Sequence, residues 1–152
     1  MYDPSPSERM AYETPCGHAV KRPGKMDPEN LYMKVEREGA DYIHHYLVQI
    51  SPLKSISLAM IYIDPEETLV DKGGIPTFEL LSSEAHQKPQ IGHIFESDNG
   101  TFLKVIEDPK SLKMYAFINI ASGEVKRRQE RNINTVYDTW QITKINQKSR
   151  LA

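Results

Sequence analysis

The last third of the chain carries short apolar segments separated by tight turns, and this feature limits the possible folds more than any other. Asp98-Asn99-Gly100 places residues that tolerate positive φ between two β-rich segments, which is typical of a hairpin. Asp108-Pro109-Lys110 is typical of a type I turn. Ser122-Gly123 marks a third reversal. The pattern therefore predicts strands at 91–97, 101–107, 112–120, 125–131 and 139–145.

Five short strands joined by such turns predict a small antiparallel β-barrel or a curled meander over residues 89–146. The architecture would be SH3-like or OB-like, and no sequence signature distinguishes the two. A meander packed on a helix fits equally well. The predicted strand 112–120 alternates, so one face is expected to be buried and the other to point outward with Tyr115 and Phe117. Trp140 and Ile142 of the last strand are expected to point inward.

Helix start signals occur earlier in the chain. Asp27-Pro28-Glu29 combines an aspartate cap with a proline at the first helical position, and Leu31 and Val35 would share a face. This pattern predicts a helix over 28–38. Similar starts at Asp64-Pro65-Glu66 and at Pro76 predict two more short helices, the second over 77–86.

The segments between these predicted helices favour strands. Residues 42–50 (YIHHYLVQI) are rich in β-formers. Residues 53–63 fit either a helical stripe or a strand, and the strand is slightly favoured because the segment ends in Met-Ile-Tyr-Ile. Residues 27–88 are thus expected to form an α+β part before the barrel. The predicted fold class of the chain is α+β and β-rich.

The two ends of the chain differ in composition. Residues 1–30 hold five of the ten prolines, so 1–26 is expected to be a flexible arm and 147–152 a short tail. Residues 1–100 carry a net charge of −7 and residues 101–152 carry +5. This asymmetry indicates that the two ends meet different partners or each other. Dimerisation through an open sheet edge or through the arm is compatible with it.

Apolar runs in the chain are shorter than the roughly 20 residues of a membrane-spanning helix. The first ten residues are polar and contain proline, unlike a secretory signal. One cysteine, Cys16, excludes an internal disulfide framework. These features predict a cytoplasmic protein without a membrane partner, and no motif calls for a cofactor or a metal.

A basic and aromatic hairpin is the leading candidate for a binding site. If Ser122-Gly123 is a two-residue loop, Phe117 lies opposite Arg128 and Tyr115 lies opposite Glu130 on the outward face. Rings interleaved with cations bind acidic protein segments or stack on nucleic-acid bases. The predicted binding residues are Tyr115, Phe117, Lys126, Arg127, Arg128 and Arg131.

Histidine and cysteine positions offer weaker candidates. His44 and His45 are neighbours, so a strand points them to opposite faces. One of them would need His93 and a carboxylate to form an acid–base or metal site. Cys16 and His18 lie in the predicted arm, which offers no frame for a reactive thiol.

The sequence therefore predicts a non-enzymatic binding or accessory protein, such as an inhibitor, with a protein partner. Two alternatives stay open. The same face could bind nucleic acid, or a small hydrolase or transferase could use a histidine and a carboxylate between the two parts.

Overall fold

The computed structural model describes residues 7–25, 29–53, 58–83, 88–108, 110–126 and 133–147. These residues form strands, turns and one 3-10 turn at Ala11–Glu13, and they include no α-helix. The strands, numbered in chain order, are β1 (Ser7–Met10), β2 (Ala19–Lys21), β3 (Leu31–Glu38), β4 (Ile43–Ser51), β5 (Met60–Tyr62), β6 (Thr68–Asp71), β7 (Gly74–Ser83), β8 (Ile94–Ser97), β9 (Gly100–Asp108), β10 (Ser111–Asn119), β11 (Val125–Lys126) and β12 (Ile133–Gln147).

Two antiparallel sheets contain these strands. The first has the order β1-β6-β2-β3-β4-β5, and the second has the order β11-β10-β9-β8-β12-β7. The predicted α+β class is wrong, because the described chain is built almost entirely from strands. The predicted barrel is wrong as well, since β11 and β7 lie at opposite edges of the second sheet and do not pair in the described part. Its strands β8 to β11 form successive antiparallel hairpins within that sheet.

The predicted helices are strands. Residues 31–38 form β3, which lies between β2 and β4, and residues 74–83 form β7. Leu31 and Val35 are four residues apart, so their side chains share a face in a strand as well as in a helix. Asp64-Pro65-Glu66 forms a turn in which the Asp64 carboxylate accepts the Glu66 N–H at 2.8 Å. The same aspartate chemistry that caps helices also closes such turns.

Other expectations are confirmed. The predicted strand 42–50 corresponds to β4, and the end of the segment 53–63 forms β5. Ser97 pairs with Gly100, so the hairpin turn lies where it was predicted. Trp140 is buried, and its indole N–H donates to the Gly92 carbonyl at 2.8 Å.

The main core lies between the sheets. Met33, Val35 and Val48 of the first sheet pack with Leu103 and Ile118 of the second. Smaller clusters lie on the opposite faces, around Leu47 and Leu69 in the first sheet and around Phe95 and Phe102 in the second. Because central strands bury both faces, their hydrophobic pattern is more continuous than a simple alternation.

Residues 7–25, which were expected to belong to a flexible arm, form β1, β2 and the 3-10 turn. Ala11 is fully buried, and its N–H donates to the Glu67 carbonyl at 2.8 Å. The sheets also cross the expected boundary at residue 88, because β7 belongs to the second sheet. The run from Thr68 to Ser83 passes from one sheet to the other through Lys72 and Gly73.

Candidate functional site

Phe117 does not lie on an exposed face. It is only 1% exposed, and its ring packs edge-on against Phe95 at a centroid distance of 5.2 Å. Its predicted outward position is wrong, because the second face of the sheet has its own aromatic core. The register also differs, since Phe117 pairs with Lys126 rather than with residue 128. The turn is two residues longer than predicted, and the Asn119 side chain accepts the Ala121 N–H at 2.9 Å within it.

Tyr115 and Lys126 are the predicted contact residues that the structure shows exposed. Tyr115 is 45% exposed, with the Lys104 ammonium 4.0 Å from its ring centroid. Lys126 forms an ion pair with Glu124 at 3.2 Å. The predicted residues Arg127, Arg128 and Arg131 lie outside the described residues.

The histidines do not converge. His44 packs on the Tyr42 ring at 4.6 Å, whereas His45 lies on the opposite face of β4. His93 lies 3.5 Å from an Asp138 carboxylate oxygen, at the second sheet. Burial lowers the pKa of His45, because a charged imidazole is poorly solvated there. The arrangement does not build the acid–base site that the enzyme alternative requires.

His18 and Asp71 form a buried pair that the sequence did not predict. His18 Nδ1 lies 3.0 Å from Asp71 Oδ1, and the Gly73 N–H donates to the same oxygen at 2.8 Å. Burial acts to raise the pKa of Asp71, but the hydrogen bonds from His18 and Gly73 outweigh it and the pKa is lowered. The pair lies next to Lys72 and Gly73, where the chain passes from one sheet to the other. Among the described residues, no cysteine, serine or threonine side chain is hydrogen-bonded to it.

Cys16 is partly buried and lies next to a backbone hydrogen bond that joins its segment to β3. The Gly17 N–H donates to the Lys34 carbonyl at 2.7 Å. Burial, followed by the nearby Glu36 carboxylate, raises the pKa of the Cys16 thiol to about 11. The thiol is therefore protonated at neutral pH, which does not suit a nucleophile. The described residues contain no group of three or more His, Cys, Asp or Glu that could hold a metal ion.

An aromatic ledge lies on the face of β4 and β5 that carries Tyr46 and Tyr62. Alternate residues of β4 and β5 point to this face, so His44 and Tyr46 lie beside Tyr62. The Tyr46 and Tyr62 rings meet edge-on at 5.5 Å, and the His44 and Tyr62 ring centroids are 6.3 Å apart. Tyr42 is 65% exposed and Tyr62 is 59% exposed. These rings are connected, and solvent reaches Tyr42 and Tyr62 while Tyr46 is buried.

A groove of about 340 Å³ runs along this ledge, lined by Arg37, Tyr46, Met60, Tyr62, Glu107, Asp108 and Met114. Arg37 is fixed in it. Its guanidinium forms an ion pair with Glu107, donates to the Tyr46 hydroxyl at 3.2 Å and lies over the Tyr46 ring. We call this set of side chains, together with Tyr42 and His44, the aromatic groove. The two-residue period of Tyr42, His44 and Tyr46 was the sequence signal that could have revealed it.

Comparisons of the chain with protein-family models, with curated proteins and with solved structures gave no match. Among the described residues, no helix is long and apolar enough to cross a membrane.

Proposed function

We propose that the protein is a non-enzymatic binding protein and that a protein partner docks on the aromatic groove. The observation that carries this proposal is the connected set of rings beside the paired Arg37, in which Tyr42 and Tyr62 are exposed and Tyr46 is buried beneath them. Tyrosine, methionine and arginine are enriched at protein interfaces, and tyrosine buries a large area with only two rotatable side-chain bonds. The groove combines these three residue types, with Met114 47% exposed at its border.

The charges of the groove favour a polypeptide over a nucleic acid. Arg37 is the one cation among its lining residues, and Glu107 already pairs with it. Asp108 is exposed at the same groove and adds a negative charge. A phosphate backbone would be repelled there, whereas an apolar side chain next to a lysine or arginine would match both the rings and the carboxylate. The proposed partner segment therefore carries an apolar anchor and an adjacent cation.

Selection from a random peptide library tests this proposal. Peptides are selected on the wild-type protein and then compared on Tyr62→Ala and on Tyr12→Ala. Tyr12 is a matched control because it is 56% exposed in the 3-10 turn, away from the groove. We expect the selected peptides to carry an apolar residue beside a cation and to bind Tyr62→Ala about thirtyfold more weakly, as a hot-spot residue requires. Binding to Tyr12→Ala should not change.

Two outcomes would contradict the proposal. One is a set of selected peptides that bind the wild-type protein and Tyr62→Ala equally, with both proteins showing the same thermal midpoint. The other is tight binding of a 30-nucleotide single strand that weakens steeply with salt, because this result would favour the nucleic-acid alternative.

A further inference from the structure

Arg22 shows how this protein holds a guanidinium group between a carboxylate and a tyrosine ring. Its Nε and Nη2 atoms donate to the two carboxylate oxygens of Glu67, both at 2.8 Å. The guanidinium also lies over the Tyr32 ring, 5.9 Å from the ring centroid. Arginine suits both partners, because its planar fork of N–H groups matches a carboxylate and its flat face stacks on an aromatic ring.

Arg37 repeats this arrangement within the aromatic groove. Its guanidinium forms an ion pair with Glu107 and lies over the Tyr46 ring, 5.7 Å from the ring centroid. Both partners are buried, with exposed fractions of 7% for the Glu107 side chain and 8% for Tyr46. Because Arg37 already pairs with these buried groups, a cation from outside the chain would need another ring and another carboxylate.

The aromatic groove contains such a second ring and second carboxylate, those of Tyr62 and Asp108. Tyr62 is 59% exposed, and no cation of the described residues lies over its ring. Asp108 is exposed, and its Oδ1 atom accepts the Lys110 N–H at 2.9 Å, but it forms no ion pair within the described part of the chain. Both residues line the same groove of about 340 Å³ as Arg37.

We propose that Tyr62 and Asp108 bind an arginine side chain of the partner protein, and we call this pair the arginine seat. The guanidinium of the partner would lie on the exposed face of the Tyr62 ring and donate to the Asp108 carboxylate. The proposal rests on the proposed docking of a protein partner at the aromatic groove, and it specifies which cation the partner segment carries.

The charges of the groove favour a cation at the arginine seat. Arg37 and Glu107 neutralise each other, so Asp108 leaves the groove with one uncompensated negative charge. Arginine is favoured over lysine, because a guanidinium is more weakly hydrated than an ammonium and stacks on a ring while it donates to a carboxylate. An ammonium is a compact and strongly hydrated charge, so it gains less from the exposed ring.

Two capped dipeptides test the choice of cation, acetyl-leucyl-arginine amide and acetyl-leucyl-lysine amide. Each is titrated into the full chain and followed by NMR. We expect the arginine dipeptide to bind about threefold more tightly than the lysine dipeptide, with the largest shifts at Tyr62 and Asp108. Equal affinities, shifts confined to other residues, or no binding of the arginine dipeptide would each overturn the proposal.

Substitutions at the arginine seat separate the ring from the charge. Tyr62→Phe keeps an aromatic face and should retain the preference for arginine, whereas Tyr62→Leu keeps only an apolar side chain and should lose most of it. Asp108→Asn should weaken both dipeptides about threefold, as the loss of an exposed ion pair requires. Asp98→Asn is the matched control, because Asp98 is exposed in the hairpin turn between β8 and β9. An undiminished preference for arginine in Tyr62→Leu would contradict the proposal.

The peptide library separates failure of the arginine seat from failure of the proposed function. Selected peptides that depend on Tyr62 but carry lysine as often as arginine, after correction for library composition, would support docking at the aromatic groove and overturn the arginine seat. A selection in which no peptide depends on Tyr62 would overturn both. We expect peptides that depend on Tyr62 and are enriched in arginine over lysine.

Discussion

Gly123 provides a demanding test of how the two sheets are joined. It is buried where the turn after β10 meets the first sheet, and its φ is +78°. A Cβ atom at this position would clash with the Gly17 backbone nitrogen, lie 2.7 Å from the Gly17 Cα and lie 2.9 Å from the Lys34 carbonyl oxygen. These neighbours are backbone atoms of ordered segments, so they cannot rotate away.

Gly123→Ala should therefore destabilise the protein for two reasons. Alanine in the left-handed region costs about 1 kcal/mol, and forcing a methyl group into a packed contact costs a further 1–3 kcal/mol, so we expect a loss of about 3 kcal/mol in total. Gly24→Ala is the matched control, because Gly24 has a φ of +82° and a methyl group there would meet no heavy atom within 4 Å. It should lose only the conformational part, about 1 kcal/mol.

Urea unfolding followed by the fluorescence of Trp140 measures both variants. Replacing glycine by alanine changes the entropy of the unfolded chain equally in the two variants. The difference between their losses in free energy of unfolding therefore measures the contact of Gly123 with Gly17 and Lys34. We expect this difference to be about 2 kcal/mol, with an unchanged dependence on urea. Equal losses in the two variants would refute the inference that the Gly17–Gly123 contact is close and unyielding.

Three other measurements test separate parts of the structure. Because burial lowers the pKa of His45, this histidine binds a proton more readily in the unfolded chain than in the folded chain, so the free energy of unfolding should fall as the pH drops below 6.5. His45→Gln should reduce this dependence of the free energy of unfolding on pH, and an unchanged dependence would contradict the prediction. At pH 8 a thiol reagent should label Cys16 in the folded protein about a hundredfold more slowly than in urea, because its pKa is raised to about 11, and equal rates would exclude the shift. Trp140→Phe removes the hydrogen bond to the Gly92 carbonyl, and circular dichroism during urea unfolding should show a loss of about 2 kcal/mol, whereas no loss would show that this bond does not matter.

Strands and turns with strong local signals were predictable. The Asp98-Asn99-Gly100 hairpin depends on backbone conformations that few residues adopt, so the local sequence determines it. The helix signals failed because Asp64-Pro65-Glu66 serves a turn as well as a helix start. Leu31 and Val35 fit both periods, and only the neighbours β2 and β4 decide between them.

The candidate sites depend on contacts that a single sequence does not specify. Phe117 was expected to be exposed because its strand alternates, yet the second sheet buries aromatic residues on that face too. The aromatic groove requires Tyr62 of β5 to pair beside Tyr46 of β4, and Met114 of β10 to approach from the other sheet.

The long pairing of β7 with β12 has a consequence for the order of assembly. Trp140 of β12 pairs with Leu80 of β7, so β7 is synthesised about 60 residues before the strand that pairs with it. Until then β7 exposes the inner side chains of Phe78 and Leu80, which pack on the core once the partner arrives. During translation the pairing of β7 with β12 would form last. A nascent chain that stalls before residue 133 would leave β7 as an unpaired, apolar strand edge that chaperones can bind.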